Sequence, residues 1–158
     1  MATIGYMEPI VVNDCYVIHE YPEAASQTFT INDLVYLVSG KVTAIASDGT
    51  AILGKPLRAA TGTTDTVIEV QVFKSGVEVE MTSTNGGSDI VSAVTDMGQK
   101  CSVYVASNKA YADISDNATD VMVPIRIANS VRSTIGDTNA RFICQFLDAV
   151  LQSEGGAS

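Results

Sequence analysis

Two stretches of alternating residues constrain the fold of this chain most strongly. Apolar residues occupy every second position from Ile68 to Val72 and again from Val77 to Met81, with Lys74-Ser75-Gly76 between the stretches. Successive side chains of a β-strand point to opposite faces, so this period of two predicts two strands, each with one buried face. The short polar turn between them predicts that they form a hairpin.

Most of the remaining chain consists of short β-branched runs separated by turn residues. Ser39-Gly40, Ser47-Asp48-Gly49 and Ser115-Asp116-Asn117 are turn signals of this kind. Pro124 interrupts a strand-like run and indicates a sheet edge or a bulge. The pattern predicts a mainly β fold of about seven to nine short antiparallel strands, arranged as a sandwich or a partly closed barrel.

One segment has a helical pattern instead. Ser88 is a suitable N-cap, Gly98 a suitable C-terminal stop, and the segment between them predicts one short helix over about residues 89–97. Its apolar residues share one stripe, which would pack on the sheet or at one end of a barrel. They are Ile90, Val91, Val94 and Met97.

The length of 158 residues fits one domain, with different character at its two ends. Residues 1–28 combine short apolar stretches with prolines, which predicts an extended N-terminal arm; an ordinary first strand of the core sheet is the alternative. Residues 29–150 are expected to form the single β-rich domain. Residues 151–158 are small and polar towards their end and predict a flexible C-terminal tail.

Charge and hydropathy point away from nucleic acid and membranes. The chain has 18 acidic and 9 basic residues, and the basic ones are scattered singly, whereas phosphate binding needs clustered cations. Apolar residues make up 46% of the chain, but no apolar run approaches the roughly 20 residues of a membrane-spanning helix. We therefore expect part of the apolar surplus to be covered by other protein subunits.

Residues for catalysis or metal binding are few. His19 is the single histidine, and the three cysteines, Cys15, Cys101 and Cys144, form no metal-binding or catalytic spacing. Glu78 and Glu80 share one strand face, which is interpreted as a solvated face rather than a catalytic pair. The sequence predicts a protein that is not an enzyme and has no metal or cofactor.

One part of the chain resembles a known family. Phe29 to Val42 reads FTINDLVYLVSGKV, and 46–54 reads ASDGTAILG. Together with the preceding segment, residues 23–29, these runs resemble the head decoration (capsid cement) proteins of tailed bacteriophages. Asn32 stands where the family pattern has glycine, and asparagine also tolerates positive φ. The resemblance covers residues 23–57, about a quarter of the chain, and 136–141 fits more loosely.

The resemblance implies a structural virion protein on the outer capsid surface, present in the host cytoplasm before assembly. It implies binding to the major capsid protein between capsomers and stabilisation against internal DNA pressure, by a homo-oligomer, with a trimer favoured and a dimer possible. The arm would then add strands to capsid protein edges. The partner-binding residues expected on this basis are Tyr6, Ile10, Val12, Tyr16 and Ile18.

Two other functions compete with this one. A carbohydrate- or ligand-binding β module would need a groove lined by aromatic side chains, but aromatic residues make up only 6% of the chain and tryptophan is absent. A small hydrolase would depend on cysteine or carboxylate chemistry, for which the sequence has no local signature.

Overall fold

Two packed β-sheets build the molecule. The computed structural model describes residues 2–128 and 133–155. These residues form eleven strands: β1 (Ile10–Val11), β2 (Tyr16–Pro22), β3 (Val35–Val38), β4 (Lys41–Ala44), β5 (Gly54–Pro56), β6 (Val67–Phe73), β7 (Glu78–Thr84), β8 (Ser102–Ala106), β9 (Lys109–Asp113), β10 (Met122–Ile127) and β11 (Arg141–Phe146). The mainly β fold predicted from the sequence is confirmed, and it is a sandwich.

The small sheet has the strand order β2-β6-β5-β3-β4, and the large sheet has the order β10-β11-β7-β9-β8, with β1 also paired to β7. All pairs are antiparallel except β7 with β9. The small sheet curls, and the Ala24 N–H donates to the Val42 carbonyl over 3.0 Å. Within the described ranges this single link does not close a barrel.

The two alternating stretches form strands, but they do not form the predicted hairpin. β6 pairs with β2 and β5, whereas β7 pairs with β1, β9 and β11. Phe73 and Val77, on either side of the turn, are both fully buried in the larger core, where the Phe73 ring lies 5.4 Å from that of Phe146. The turn therefore carries the chain from one sheet to the other.

Each sheet buries its own apolar face. Ile68, Val70 and Val72 of β6 lie in a small core with Phe29 and Val35. The apolar side of β7 belongs to the larger core between the sheets. The burial predicted for both alternating stretches is thus correct, although their pairing is not. The register of β10 with β11 shifts between Pro124 and Arg126, which confirms the predicted bulge.

The helix predicted over residues 89–97 is not observed; only Val94–Asp96 form a single 3-10 turn. Asn139 explains the difference, because its side chain accepts the Ile90 N–H over 3.0 Å and its own N–H donates to the Ile90 carbonyl over 2.7 Å. These bonds hold the backbone extended. Val91 and Val94 of the expected apolar stripe are 63% and 64% exposed. No helix among the described residues has the length and apolar character to cross a membrane.

The N-terminal segment is extended, as predicted, and it runs along both sheets. β1 pairs with β7, and all seven residues of β2 pair with β6, from Tyr16 opposite Phe73 to Pro22 opposite Val67. Glu23 is completely buried directly after β2, where its carboxylate accepts the N–H of Thr61 over 2.8 Å. Of the two interpretations of residues 1–28, strands of the folded domain match the structure.

The C-terminal tail predicted over 151–158 is not flexible in its first part. Leu151 is fully buried. The Gln152 side chain accepts the Leu37 N–H over 2.7 Å and donates to the Leu37 carbonyl over 3.1 Å, so it continues the edge of β3. The side chains of 153 and 154 bond to the end of β6 and the following turn. Residues 156–158 lie outside the described part.

Candidate functional site

The five predicted partner-binding residues lie in different environments. The Tyr6 hydroxyl donates to the Asn32 carbonyl over 3.0 Å, and its ring lies 4.8 Å from that of Tyr111. Ile10 is half-buried in β1, opposite Glu80. Tyr6 and Ile10 therefore serve contacts inside the protein.

Of the other three residues, Val12 and Ile18 are exposed, whereas Tyr16 is half-buried. Val12 is exposed just after β1, while Tyr16 and Ile18 lie on β2. Ile18 is 54% exposed, and the neighbouring Val17 is also exposed. The structure thus brings two of the five residues together on one strand and places the remaining three elsewhere.

Hydrogen bonds at both ends of β2 reveal which backbone groups face outwards. The Cys15 carbonyl accepts the Lys74 N–H over 2.9 Å, and the Glu23 N–H donates to the Thr66 carbonyl over 2.7 Å. In an antiparallel pair, alternate residues direct both backbone groups to the partner strand. Odd-numbered residues from 15 to 23 therefore face β6, and even-numbered residues face away from it.

The outer edge of β2 is open. The N–H groups of Ile18 and Glu20 face away from β6, and no other strand in the described residues pairs there. At the ends of this edge, the Tyr16 N–H donates to the Asp14 carbonyl over 2.9 Å, and Pro22 has no N–H. The edge therefore offers two donors and the carbonyls of residues 16, 18 and 20, while the Pro22 carbonyl lies at the parallel bridge of Glu23 with Val42.

Both faces of β2 carry exposed side chains. Residues 17–20 are all exposed, and β2 contains no lysine, no bulge and no proline before its last residue. Charged side chains, lysine above all, bulges and prolines are the usual features that prevent an edge strand from pairing with another chain, and before Pro22 β2 has only Glu20 among them. A strand of seven residues with a single charge is suited to accept one more strand.

The terminal strands at the other three sheet edges are protected. The segment after β2 covers β4, where the Gln27 side chain accepts the Ala44 N–H over 2.9 Å. Ser47 covers β8 by accepting the Val105 N–H over 2.8 Å. β10 contains the bulge at Pro124, whose carbonyl accepts the Gly98 N–H over 2.7 Å. Of the four strands that end the main paths of the two sheets, β2 is thus the one left open within the described ranges, from Tyr16 to Glu20.

Arg141 fixes the N-terminal segment to the large sheet. Its guanidinium is fully buried and donates to the carbonyls of Met7 over 2.7 Å and Glu8 over 2.8 Å. It also forms an ion pair with Glu80 at 3.1 Å. Glu80 is 2% exposed, so the solvated face predicted for Glu78 and Glu80 is wrong at Glu80. The only sequence signal was an arginine at the start of a largely apolar strand.

A second surface feature is a pocket of about 250 Å³ lined by tyrosines and polar residues. The rings of Tyr104 and Tyr111 lie 6.1 Å apart, and their hydroxyls have no hydrogen-bond partner among the described residues. Burial, and secondarily Tyr104, raises the pKa of Tyr111. A Cβ on Gly87 would lie 2.6 Å from the Tyr104 hydroxyl, so glycine leaves space for this ring. The pocket also includes Tyr6, Thr84, Ser88, Asp89 and Asn139.

Two of the three cysteines, Cys101 and Cys144, are buried in the larger core. Burial raises the pKa of Cys101 to about 12, and burial also raises the pKa of Cys144 well above its usual value. Both groups are therefore thiols near neutral pH, whereas the thiolate is the nucleophile. His19 lies on the exposed part of β2, away from this core. The described residues contain no group of three potential ligands placed to hold a metal ion.

The fold and its surface define a β-sandwich protein whose described residues leave the outer edge of β2 open. No family model, no curated protein and no solved structure matches the chain.

Proposed function

We propose that this chain is a structural virion protein of the capsid decoration type. It binds the outer surface of a tailed-phage head, between capsomers of the major capsid protein, and stabilises the head against internal DNA pressure. The residues that resemble the family support this proposal. The family pattern has a hairpin at Ser-Gly-Lys-Val, and here the same residues build the β3–β4 hairpin. Its two-residue loop, Ser39-Gly40, has φ of 49° and 77°, as a type I′ turn requires.

The open edge of β2 is the observation that carries the proposal. An extended capsid segment can add to such an edge through backbone hydrogen bonds, with side chains supplying specificity. Bonds to the two free N–H groups of Ile18 and Glu20 contribute about 0.5–1.5 kcal/mol each, so one contact is weak. Subunits that contact one another on the shell link their sites, and linked sites strengthen each other through effective concentration.

The charge of the chain is compatible with this location. A net charge of −9 repels packaged DNA and keeps the free protein soluble. Docking on the outer surface brings the chain no closer to the DNA than the thickness of the shell. The proposal therefore needs no basic binding face.

Binding to undecorated heads of the phage that encodes the chain tests the function. We expect the full chain to co-sediment with these heads. We expect Ile18→Pro to lose about tenfold or more in affinity, because proline removes an outward N–H and also places its Cδ against the carbonyl that would accept it. The N–H of Ile18 does not face β6, so the sheet should remain intact. Circular dichroism checks the fold.

Ile18→Thr is the matched control. Threonine is β-branched and keeps the N–H, so we expect its affinity to fall by only about threefold or less if backbone pairing dominates. Full binding by a folded Ile18→Pro variant would exclude the β2 edge. No binding by the full chain would refute the decoration function.

The tyrosine pocket favours a second candidate, the binding of a small neutral ligand such as a sugar ring. Tyr104 and Tyr111 supply free hydroxyls beside apolar ring surface, and the pocket contains no basic residue that would bind an anion. We expect a sugar ligand to shift the amide signals of residues 84–88 in an NMR titration, and Tyr104→Ala to abolish the shifts. Unchanged spectra with a panel of monosaccharides at millimolar concentration would reject this candidate.

A further inference from the structure

We propose that the free protein forms a two-fold symmetric dimer by antiparallel pairing of β2 with β2 of a second copy, centred on Ile18. The dimer covers the open edge until the protein meets its docking partner. This covering role rests on the proposed function, whereas the dimer itself does not.

The condition of the sheet edges argues for a second copy as the occupant. An open, unprotected strand edge is a template for uncontrolled pairing. Two copies that join through β2 protect both edges at once, because the interface is isologous. The far edge of each small sheet is β4, which is already covered by the segment after β2. Growth therefore stops at two copies.

Three symmetric registers pair the outward backbone groups, and they are centred on Ile18, on His19 or on Glu20. The first two give four backbone hydrogen bonds each, from the N–H groups of residues 18 and 20 in both copies. With the axis at Ile18, their acceptors are the carbonyls of residues 18 and 16 of the other copy. With the axis at Glu20, the Ile18 N–H would need the Pro22 carbonyl, which lies at the bridge of Glu23 with Val42. Backbone pairing alone does not choose between Ile18 and His19.

Side-chain pairing chooses the register centred on Ile18. Centring on Glu20 places two carboxylates opposite each other, which is destabilising. Centring on His19 places two imidazoles opposite each other and Glu20 opposite an isoleucine. Centring on Ile18 pairs the isoleucines with each other, Val17 with His19 and Tyr16 with Glu20. Like charges are then separated, and the most exposed apolar side chain of β2 is covered.

Cysteine cross-linking tests the register. Opposite residues of a hydrogen-bonded antiparallel pair have Cα atoms about 5.5 Å apart, within the range that a disulfide spans. In a Cys15→Ser background, we expect Ile18→Cys to form a disulfide-linked dimer under mild oxidation. Glu20→Cys is the matched control and should remain unlinked, because its symmetry mate would lie four positions along the strand.

Light scattering tests the dimer in the absence of heads. We expect twice the chain mass at about 0.1 mM, since dimers accumulate with concentration, and a single-chain mass for folded Ile18→Pro. A single-chain or trimer mass for the full chain, or a Glu20→Cys link instead of the Ile18→Cys link, would overturn the proposal. Because heads are absent, this failure is distinct from a failure to bind capsid.

Discussion

Arg141→Met is expected to lower the free energy of unfolding by about 3–5 kcal/mol, measured by denaturation in guanidinium chloride. Arg141 is fully buried, and its guanidinium lies 3.1 Å from the carboxylate of Glu80, which is also buried. Methionine fills most of the volume but leaves that carboxylate without its cation. Two carbonyls of the N-terminal segment, those of Met7 and Glu8, also lose their donors.

Arg126→Met provides the matched control for Arg141. Arg126 forms an ion pair of 2.8 Å with Glu78, but its side chain is 54% exposed. Exposed ion pairs contribute little to stability, so we expect the free energy of unfolding to fall by no more than about 1 kcal/mol. Equal decreases for the two variants would mean that burial is not the reason why Arg141 stabilises the fold.

Gly54→Ala is expected to cost about 3 kcal/mol or more and to shift the thermal midpoint strongly downwards. A Cβ on Gly54 would lie 1.9 Å from the Gln71 carbonyl oxygen, which belongs to the backbone of β6 and cannot rotate away. This clash is relieved only if β5 moves away from β6, and β5 is the strand that joins β6 to β3. The substitution would therefore destabilise the small sheet, to which the β2–β6 pair belongs.

Gly5→Ala is the matched control for Gly54. A Cβ at Gly5 has no neighbouring atom within 4 Å, so the expected change is within about 0.5 kcal/mol. A Gly54→Ala variant with unchanged stability would contradict the close approach of β5 to β6.

The sequence predicts local features of this fold better than its long-range ones. Alternation from Ile68 to Val72 identifies a strand and its buried face, because side-chain direction follows from the backbone of that strand alone. Alternation does not identify the neighbouring strand. Phe73 occupies a position at which the alternation of Glu69 and Gln71 predicts a polar residue. Its side chain is buried in the larger core, where the chain crosses from one sheet to the other.

The missing helix and the open edge both depend on residues that are distant in the sequence. Residues 89–97 carry a helical pattern, but Asn139 provides the hydrogen bonds that hold Ile90 extended. Tertiary contacts commonly override such weak local preferences.

At β2, consecutive apolar residues at Val17 and Ile18 interrupt the alternation. This signal is consistent with a strand exposed on both faces, but only the strand order shows that nothing covers its edge.

The most direct measurement is a cryo-electron microscopy map of undecorated heads incubated with the protein. We expect a capsid segment to continue the small sheet beside β2, with its backbone within hydrogen-bonding distance of Ile18 and Glu20. A map in which the protein binds heads through another surface and leaves this edge in solvent would contradict the proposed docking.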